Sequence, residues 1–321
     1  MTEPAPTALT RAEWEPQARA HAEAADALTA GHRERAGRAE KHAIEDFLFE
    51  YYGVRPSRLR RWHPGPGIVL EDAPEHARWT FYRDGAPGTQ VDVDAFLEAR
   101  GRGLAHIVRL LEATASRPAR YGCFGLHEWA MVYRADDERR HPLPLRLGQA
   151  GTDAVVEANP IACSHIDAFR FFTPEARPLN QLQPTRETQV AMEQPGCLHA
   201  TMDLYKWAAK LTPVVPSSLT LEAFALALEV RQVDMQASPY DVSRFGLEAI
   251  AVETPEGKRE YARRQRDFAE RGGALRARLL EALSPISHAV ARSAPPRAPR
   301  EADRVDSDDQ RRPMKRIVPH G

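Results

Sequence analysis

Residues 163–241 mix ionisable side chains with large apolar ones, and this mixture limits how the chain can fold. The segment contains CSHIDAFRFF (163–172), PGCLHATMDLYKWAAKL (195–211) and DMQASPYD (234–241). The two kinds of side chain follow each other so closely that many of the polar ones should be at least partly buried. Burying such groups costs free energy unless they pair, bind a ligand or take part in chemistry. We therefore predict that this segment contains the functional site.

The pattern of apolar residues predicts a mainly α fold, with a single large helical domain over residues 11–290. In the last predicted helix every seventh residue from Tyr261 to Ala282 is apolar, which is typical of a helix with one buried face. Short strand-like runs between residues 67 and 93, separated by turn residues, predict a small β-hairpin or sheet insertion. The predicted helices are residues 12–30, 32–52, 94–116, 218–235 and 257–283.

The two ends of the chain differ from the rest in composition. Residues 1–10 and 291–321 are rich in proline and contain no aromatic residue and few large apolar ones, and the second segment is also rich in charged residues. Such segments bury too little apolar surface to offset the entropy lost on ordering. Both ends are predicted to be disordered tails.

Composition and cysteine usage predict a cytoplasmic protein. The net charge of −1 excludes a polycation that coats nucleic acid, and no apolar run reaches the roughly 18 residues that a membrane-spanning helix requires. The three cysteines have no paired spacing and no secretory signal precedes them, which favours reduced thiols. We expect no membrane partner, and the sequence indicates no particular protein partner.

The segment LHATMDLYKWAAKL (198–211) predicts a helix whose one face carries His199, Asp203 and Lys206. These residues are spaced by four and three positions, so they are neighbours on a helix surface. An aspartate beside a lysine and a histidine can deprotonate water or stabilise a developing cation. The alternative is a structural Asp–Lys pair with His199 bonded to the first turn. All three are candidate catalytic residues.

The segment GLHEWAMVYR (125–134) places His127 and Glu128 in apolar surroundings beside Trp129. A carboxylate in such a pocket has a raised pKa and suits proton transfer, which makes Glu128 a further catalytic candidate. A buried glutamate paired with an arginine is the alternative. The segment lacks the second histidine of the H-E-x-x-H zinc motif, because Met131 stands in its place.

Cys163, His165 and Asp167 are spaced by two, so on an extended segment they would project to the same side. Together with Cys197 and His199 they could assemble a metal site. The C-x-H spacing differs from the usual C-x2-C zinc pattern, which favours a network of polar side chains without a metal. We expect neither a metal nor an organic cofactor.

Two arginine-rich stretches are candidate contacts for a phosphate backbone. Residues 54–61 contain four arginines and no acid, and residues 258–278 contain eight basic residues against three acidic ones. Such surfaces attract nucleic acid, although many arginine-rich helix faces are only solvated. The candidate DNA-binding residues are Arg58, Arg60, Arg61, Arg263 and Arg264.

Several segments over residues 40–260 resemble a bacterial family of 3-methyladenine DNA glycosylases. They are HAIEDFLFEYYGVRPSRLRRWHPG (42–65), GLHEWAMVYR, RHPLPLRLG (140–148), CSHIDAFRFFTPEARPLN (163–180), EQPGCLHATMDLYKWAAKL (193–211) and DMQASPYD. The resemblance implies that the protein hydrolyses the N-glycosidic bond of alkylated purines in double-stranded DNA. It also implies that no metal or organic cofactor is needed.

A glycosylase must move the target base out of the duplex and hold it in a pocket. Under this resemblance Asp203, ahead of Glu128, would stabilise the sugar cation and orient water. Trp129, Tyr205 or Trp207 would stack on the base. The candidate substrate-binding residues are His127, Trp129, His165, Asp167, Arg170, Tyr205, Trp207 and Asp241, the last of which also fits a simple Asx-type turn.

Two other functions fit the same residues. One is a metal-dependent or small-molecule hydrolase that uses Cys163, His165, Asp167, Cys197 and His199. The other is a non-catalytic nucleic-acid-binding protein in which the polar residues are structural.

Overall fold

The computed structural model describes residues 6–135 and 143–293, and within these ranges the fold is mainly α with a small sheet, as predicted. Two 3-10 turns, Arg177–Leu179 and Ser243–Phe245, complete the regular elements described. The strands are β1 (Thr7–Leu9), β2 (Ile68–Leu70), β3 (Tyr82–Arg83) and β4 (Thr89–Val91). The helices are α1 (Arg11–Gly37), α2 (Phe47–Tyr52), α3 (Pro56–Leu59), α4 (Pro74–Ala77), α5 (Val93–Ala115), α6 (Leu126–Ala130), α7 (Gly148–Ala158), α8 (Ile166–Phe169), α9 (Gln189–Met192), α10 (Leu198–Lys210), α11 (Ser217–Gln236) and α12 (Pro255–Ser293).

The long helices form where the sequence combines a cap with an apolar face. Asp92 caps α5, because its carboxylate accepts a hydrogen bond from the Ala95 backbone N–H at 3.0 Å. In α12 the seven-residue spacing buries Tyr261, Phe268 and Leu275, as predicted. This apolar face packs α12 against α5, α10 and α11. The arginines of α12 lie mainly on the opposite, exposed face.

The small sheet includes part of the chain that composition assigns to a disordered tail. Strand β1 pairs in parallel with β2, with Thr7 opposite Ile68, while β4 runs antiparallel to both β2 and β3. The strand order is β1-β2-β4-β3. Pairing with β2 supplies backbone hydrogen bonds that composition alone does not reveal. Of the other predicted tail, residues 291–293 form the end of α12, so the prediction of disorder is wrong for them, and residues 294–321 lie outside the described residues.

Helix α10 lies at the centre of the fold and positions the candidate site. Every residue from Leu198 to Tyr205 is buried, on all faces of the helix. Since α11 and α12 both pack on α10, its polar residues His199 and Asp203 face other parts of the protein instead of solvent. Buried polar groups of this kind need partners inside the fold.

Within the described ranges, no helix is both long enough and apolar enough to cross a lipid bilayer. The longest, α12, carries charged residues through most of its length, from Glu256 to Glu281. A spanning helix would need about 20 mostly apolar residues.

Candidate functional site

A cavity of about 670 Å³ opens between α12, the start of α10 and the loop that follows α5. Its wall contains all three cysteines of the chain, Cys123, Cys163 and Cys197, together with His127 and His199. The volume lies within the range of pockets that bind small molecules. This gathering of thiols and imidazoles makes the cavity the candidate functional site.

A close contact between two loops shapes one wall of the cavity. A Cβ atom at Gly196 would lie 2.4 Å from the Arg120 carbonyl oxygen, so a larger residue would push the loops apart. The Gln194 side-chain oxygen accepts hydrogen bonds from the backbone N–H groups of Arg120 at 2.8 Å and of Gly196 at 2.7 Å. These contacts fix the loop after α5 against the beginning of α10.

The first group of polar residues, which we call the histidine–aspartate cluster, consists of Cys123, His127, Glu128, Arg231 and Asp234. The His127 Nε2–H donates to Asp234 Oδ1 at 2.9 Å, and His127 Nδ1 lies 3.6 Å from the Cys123 sulfur. Arg231 donates to Asp234 Oδ2 at 3.0 Å and to Glu128 Oε1 at 2.9 Å. Apart from Cys123, all of these side chains are buried.

Electrostatics give the two histidines of the cavity wall opposite charge states. Burial alone would lower the pKa of His127, but the Asp234 carboxylate raises it well above its ordinary value. Burial, together with the neighbouring positive charge on His127, holds the pKa of His199 well below its ordinary value. At neutral pH the cavity is therefore bordered by an imidazolium paired with Asp234 and by a neutral imidazole.

The second group, which we call the lysine–carboxylate cluster, consists of His165, Asp167, Glu193, Asp203 and Lys206. The Lys206 ammonium donates to Asp203 Oδ2 at 2.8 Å and to Asp167 Oδ2 at 2.9 Å. His165 Nε2 lies 3.3 Å from Glu193 Oε1 and 3.5 Å from Asp203 Oδ2 without forming a hydrogen bond to either. The cluster is also contacted by Tyr52, which donates to Asp203 Oδ1 at 2.9 Å, and by Arg186, which bonds to Asp167.

These contacts keep the buried aspartates ionised. Although burial opposes ionisation, the Lys206 ammonium holds the pKa values of Asp167 and Asp203 well below their usual range. Burial raises the pKa of Glu193, which has His165 as its nearest positive partner. Ion pairs with Lys206 and Arg186 thus compensate the charges of Asp167 and Asp203.

Among the residues that the structure describes, two sets of three buried residues have ligand atoms close enough together to hold a metal ion. They are His127, His199 and Asp234 in one set, and His165, Glu193 and Asp203 in the other. In each set a protein cation already bonds a carboxylate, since Arg231 contacts Asp234 and Lys206 contacts Asp203. A divalent ion at either position would lie near that cation and be repelled by it.

We therefore predict that the purified protein contains metal far below one equivalent. Elemental analysis after incubation with Zn²⁺, Mn²⁺ or Fe²⁺ and gel filtration would measure this. A stoichiometric ion that is lost on replacing His199 or His165 with asparagine would instead favour a metal-dependent hydrolase.

Of the four candidate catalytic residues, the structure brings His199 to the cavity. Asp203 and Lys206 share one face of α10 as predicted, but they bond to each other inside the lysine–carboxylate cluster. Glu128 is 2 % exposed and bonded to Arg231. Asp203, Lys206 and Glu128 are absent from the cavity wall, because each is neutralised by a buried partner.

The aromatic candidates for base stacking lie in the core. Trp129 and Tyr205 have no exposed surface, and Trp129 donates its indole N–H to the Ala237 carbonyl at 2.8 Å. Trp207 is nearly buried, with the Lys206 ammonium 4.2 Å from the centre of its ring. None of the three borders the cavity, so the expectation that one of them stacks on a base from this cavity does not fit the structure.

The remaining substrate-binding candidates are divided between the cavity and other places. His127 lines the cavity, whereas His165 and Asp167 lie in the lysine–carboxylate cluster. Arg170 is exposed and its Nε is 3.4 Å from Asp167. Asp241 accepts a hydrogen bond from the Ser243 backbone N–H at 2.9 Å, which is the predicted alternative of an Asx-type turn.

The candidate DNA-binding arginines lie on the surface. Arg263 and Arg264 both bond to Glu260, at 2.7 and 2.8 Å, so a single carboxylate offsets much of their charge. Arg60 lies 3.0 Å from Asp26, and Arg61 packs over the Trp79 ring. Arg58 is exposed. Their role in binding DNA stays a prediction.

Three residues in or directly behind the cavity wall, Cys123, Asp234 and Gln265, were not among the predicted site residues. The only local signal is the spacing of Cys123 and His127 by four residues, with Cys123 between Gly122 and Gly125. Asp234 is 107 residues from His127 in sequence, so no local pattern connects them. Comparison of the chain with protein-family models, curated proteins and solved structures finds no match, and the function therefore has to be argued from the site itself.

Proposed function

We propose that the protein is a DNA glycosylase that hydrolyses the N-glycosidic bond of alkylated purines held in the cavity. The observation that carries the proposal is the Gln265 side chain on the cavity wall. Gln265 is 1 % exposed, its amide N–H donates to the Gly196 carbonyl, and its Oε1 has no hydrogen-bond partner. A buried acceptor without a partner costs free energy, which a ligand N–H would recover.

The exocyclic amine of adenine is a suitable donor for this acceptor. Glutamine side chains commonly read adenine, accepting from its N6 amine. Tyr261 lies one turn before Gln265 on α12 and also lines the cavity, so an aromatic ring borders the proposed base position. This assignment replaces the core aromatics Trp129, Tyr205 and Trp207 as the groups beside the base.

Basic residues on the same cavity support a substrate that carries phosphate. Arg117 and Arg120 line the cavity, and Arg120 is exposed. Arg117 donates to the Ala113 and Glu193 carbonyls, which holds it in place, whereas the guanidinium of Arg120 has no bonded carboxylate among the described residues. An exposed arginine beside a cavity is well placed to bind a phosphate that flanks an extruded nucleotide.

The chemistry requires little from the protein, because an alkylated purine is already a cationic leaving group. In the proposed reaction, neutral His199 accepts a hydrogen bond from the attacking water and orients it, because its lowered pKa suits it to positioning the water and not to removing a proton. This moves the catalytic role from Asp203 to His199, since His199 borders the cavity and Asp203 is sealed by Lys206 and Tyr52.

We predict that the protein releases 3-methyladenine from alkylated duplex DNA and that His199→Asn lowers the rate by about 100-fold. The loss follows from removing the imidazole that orients the attacking water. Chromatography of the free bases measures the rate. His106→Asn is the matched control, because His106 lies on α5 and does not line the cavity. Absence of base release by the folded wild-type protein would refute the proposed function.

A further inference from the structure

We propose that Cys123 is a nucleophilic thiol, activated by His127 and oriented through Asp234, that gives the cavity an acyl-transfer activity towards esters, thioesters or amides. Cys123, His127 and Asp234 form a continuous chain of contacts that ends at the cavity wall. The inference goes beyond the proposed glycosylase and does not depend on it.

The geometry is that of a nucleophile, a base and a group that orients the base. The Cys123 sulfur lies 3.6 Å from His127 Nδ1, and the other ring nitrogen, Nε2, lies 2.9 Å from Asp234 Oδ1. Arg231 holds the second oxygen of Asp234, which fixes the carboxylate in turn. A thiol beside an imidazole that a third residue orients is the arrangement by which proteins activate cysteine.

The backbone between Cys123 and His127 is shaped to bring the two side chains together. Phe124 has φ 46° and Gly125 has φ 72°, so the chain reverses sharply before α6 begins at Leu126. At Gly125 an added Cβ would lie 3.3 Å from both Ala237 and Tyr261, so the turn also packs tightly against α12. The turn directs Cys123 and His127 to the same cavity.

The other two thiols of the cavity lack this environment. Burial raises the pKa values of Cys163 and Cys197 above the ordinary value of a thiol. Cys163 is 3 % exposed, and its sulfur lies 3.7 Å from the His165 carbonyl oxygen. Within the described part of the chain, Cys123 is the cysteine whose sulfur contacts an imidazole nitrogen. Cys163 and Cys197 are therefore internal controls.

The buried Gln265 oxygen is a second, independent indication that the cavity binds a ligand. The Gln265 oxygen accepts no hydrogen bond from the protein, so it is available to accept one from a substrate N–H. An amide or a primary amine on the substrate could supply that donor.

Water is the only reagent that the reaction requires besides the substrate. The Cys123 thiolate attacks the carbonyl carbon to form an S–C bond, and the bond to the leaving oxygen, sulfur or nitrogen breaks while His127 gives that atom a proton. Water then attacks the thioester and gives its proton to His127. The S–C bond breaks, which restores the thiolate and releases the carboxylic acid.

Alkylation of the intact protein tests the thiol directly. Iodoacetamide is applied at pH 6.5 in the presence of EDTA, and peptide mass spectrometry follows the three cysteines in the same sample. We expect Cys123 to react at least about 10-fold faster than Cys163 or Cys197, because it alone is activated by an imidazole. His127→Asn and Asp234→Asn should abolish this difference, and circular dichroism establishes that each variant is folded.

Acyl transfer is tested with p-nitrophenyl acetate. The wild-type protein should release p-nitrophenol, and acid quenching should trap one acetyl group on Cys123. Cys123→Ser should lose both signals, whereas His106→Asn, which lies outside the cavity wall, should keep them. Equal alkylation rates at the three cysteines, or acetylation at other residues with none at Cys123, would overturn the proposal. The absence of glycosylase activity would leave these readouts unchanged, so the two proposals fail separately.

Discussion

Replacing Arg231 with methionine is expected to lower the free energy of unfolding by about 3–5 kcal/mol. Arg231 is 1 % exposed and bonds to both Glu128 and Asp234, while its guanidinium also lies 3.9 Å from the centre of the Phe47 ring. Methionine fills much of the volume but leaves two buried carboxylates with less positive charge between them. Denaturant unfolding followed by circular dichroism measures the change.

Arg271→Met is the matched control for this experiment. Arg271 forms a bidentate pair with Glu229, but both side chains are about half exposed. Exposed pairs contribute up to about 1 kcal/mol, because water solvates the charges when the pair is broken. If the two substitutions lower the free energy of unfolding equally, then Arg231 does not stabilise the buried carboxylates of the histidine–aspartate cluster.

Lys206→Met is expected to lower the free energy of unfolding by a similar amount, about 3–5 kcal/mol at pH 7. This loss should become smaller in acid. In the folded wild type, Lys206 holds the pKa values of Asp167 and Asp203 below their unfolded values. A lowered carboxyl pKa stabilises the folded state above the unfolded pKa, about 3.9, and that stabilisation is lost as the pH falls below it. Without the ammonium the two carboxyls are buried with less compensation, and their pKa values should rise.

The difference between wild type and Lys206→Met should therefore be largest near neutral pH and shrink towards pH 4 and below. Unfolding in urea at several pH values would measure it. Lys210→Met, one turn further along α10 at an exposed position, is the control and should change stability little. A loss that is independent of pH would mean that Lys206 contributes packing instead of charge.

Local periodicity was sufficient to predict α5, α11 and α12 but not the sheet edge. The predicted helices 12–30 and 32–52 had the wrong bounds, because α1 runs from Arg11 to Gly37 and α2 covers only Phe47–Tyr52. The spacing of Tyr261, Phe268 and Leu275 is repeated within one helix, so it can be read from the sequence directly. The pairing of Thr7 with Ile68 joins residues far apart in the chain. Nothing in the composition of residues 1–10 indicates a partner strand, and so the sequence predicts disorder there.

The candidate site was predicted in part, for a similar physical reason. Helical spacing places His199, Asp203 and Lys206 on one face of α10, and the structure has this arrangement. Which of them reaches a cavity depends on partners from other elements. Tyr52 donates a hydrogen bond to Asp203, and Lys206 donates one to Asp167. These contacts join residues up to 151 positions apart.

Helix α10 places the His199 ring 4.5 Å from that of His127, beside the histidine–aspartate cluster, and supplies Asp203 to the lysine–carboxylate cluster about one turn later in the chain. The two clusters therefore share a single rigid support, and the rings of His199 and His165 are 5.3 Å apart where they meet. A rotation of α10 that suits one cluster would misalign the other. Substitutions in one cluster should therefore be accompanied by substitutions in the other among homologues of this chain. A chimera that exchanges the residues of only one cluster should fold poorly.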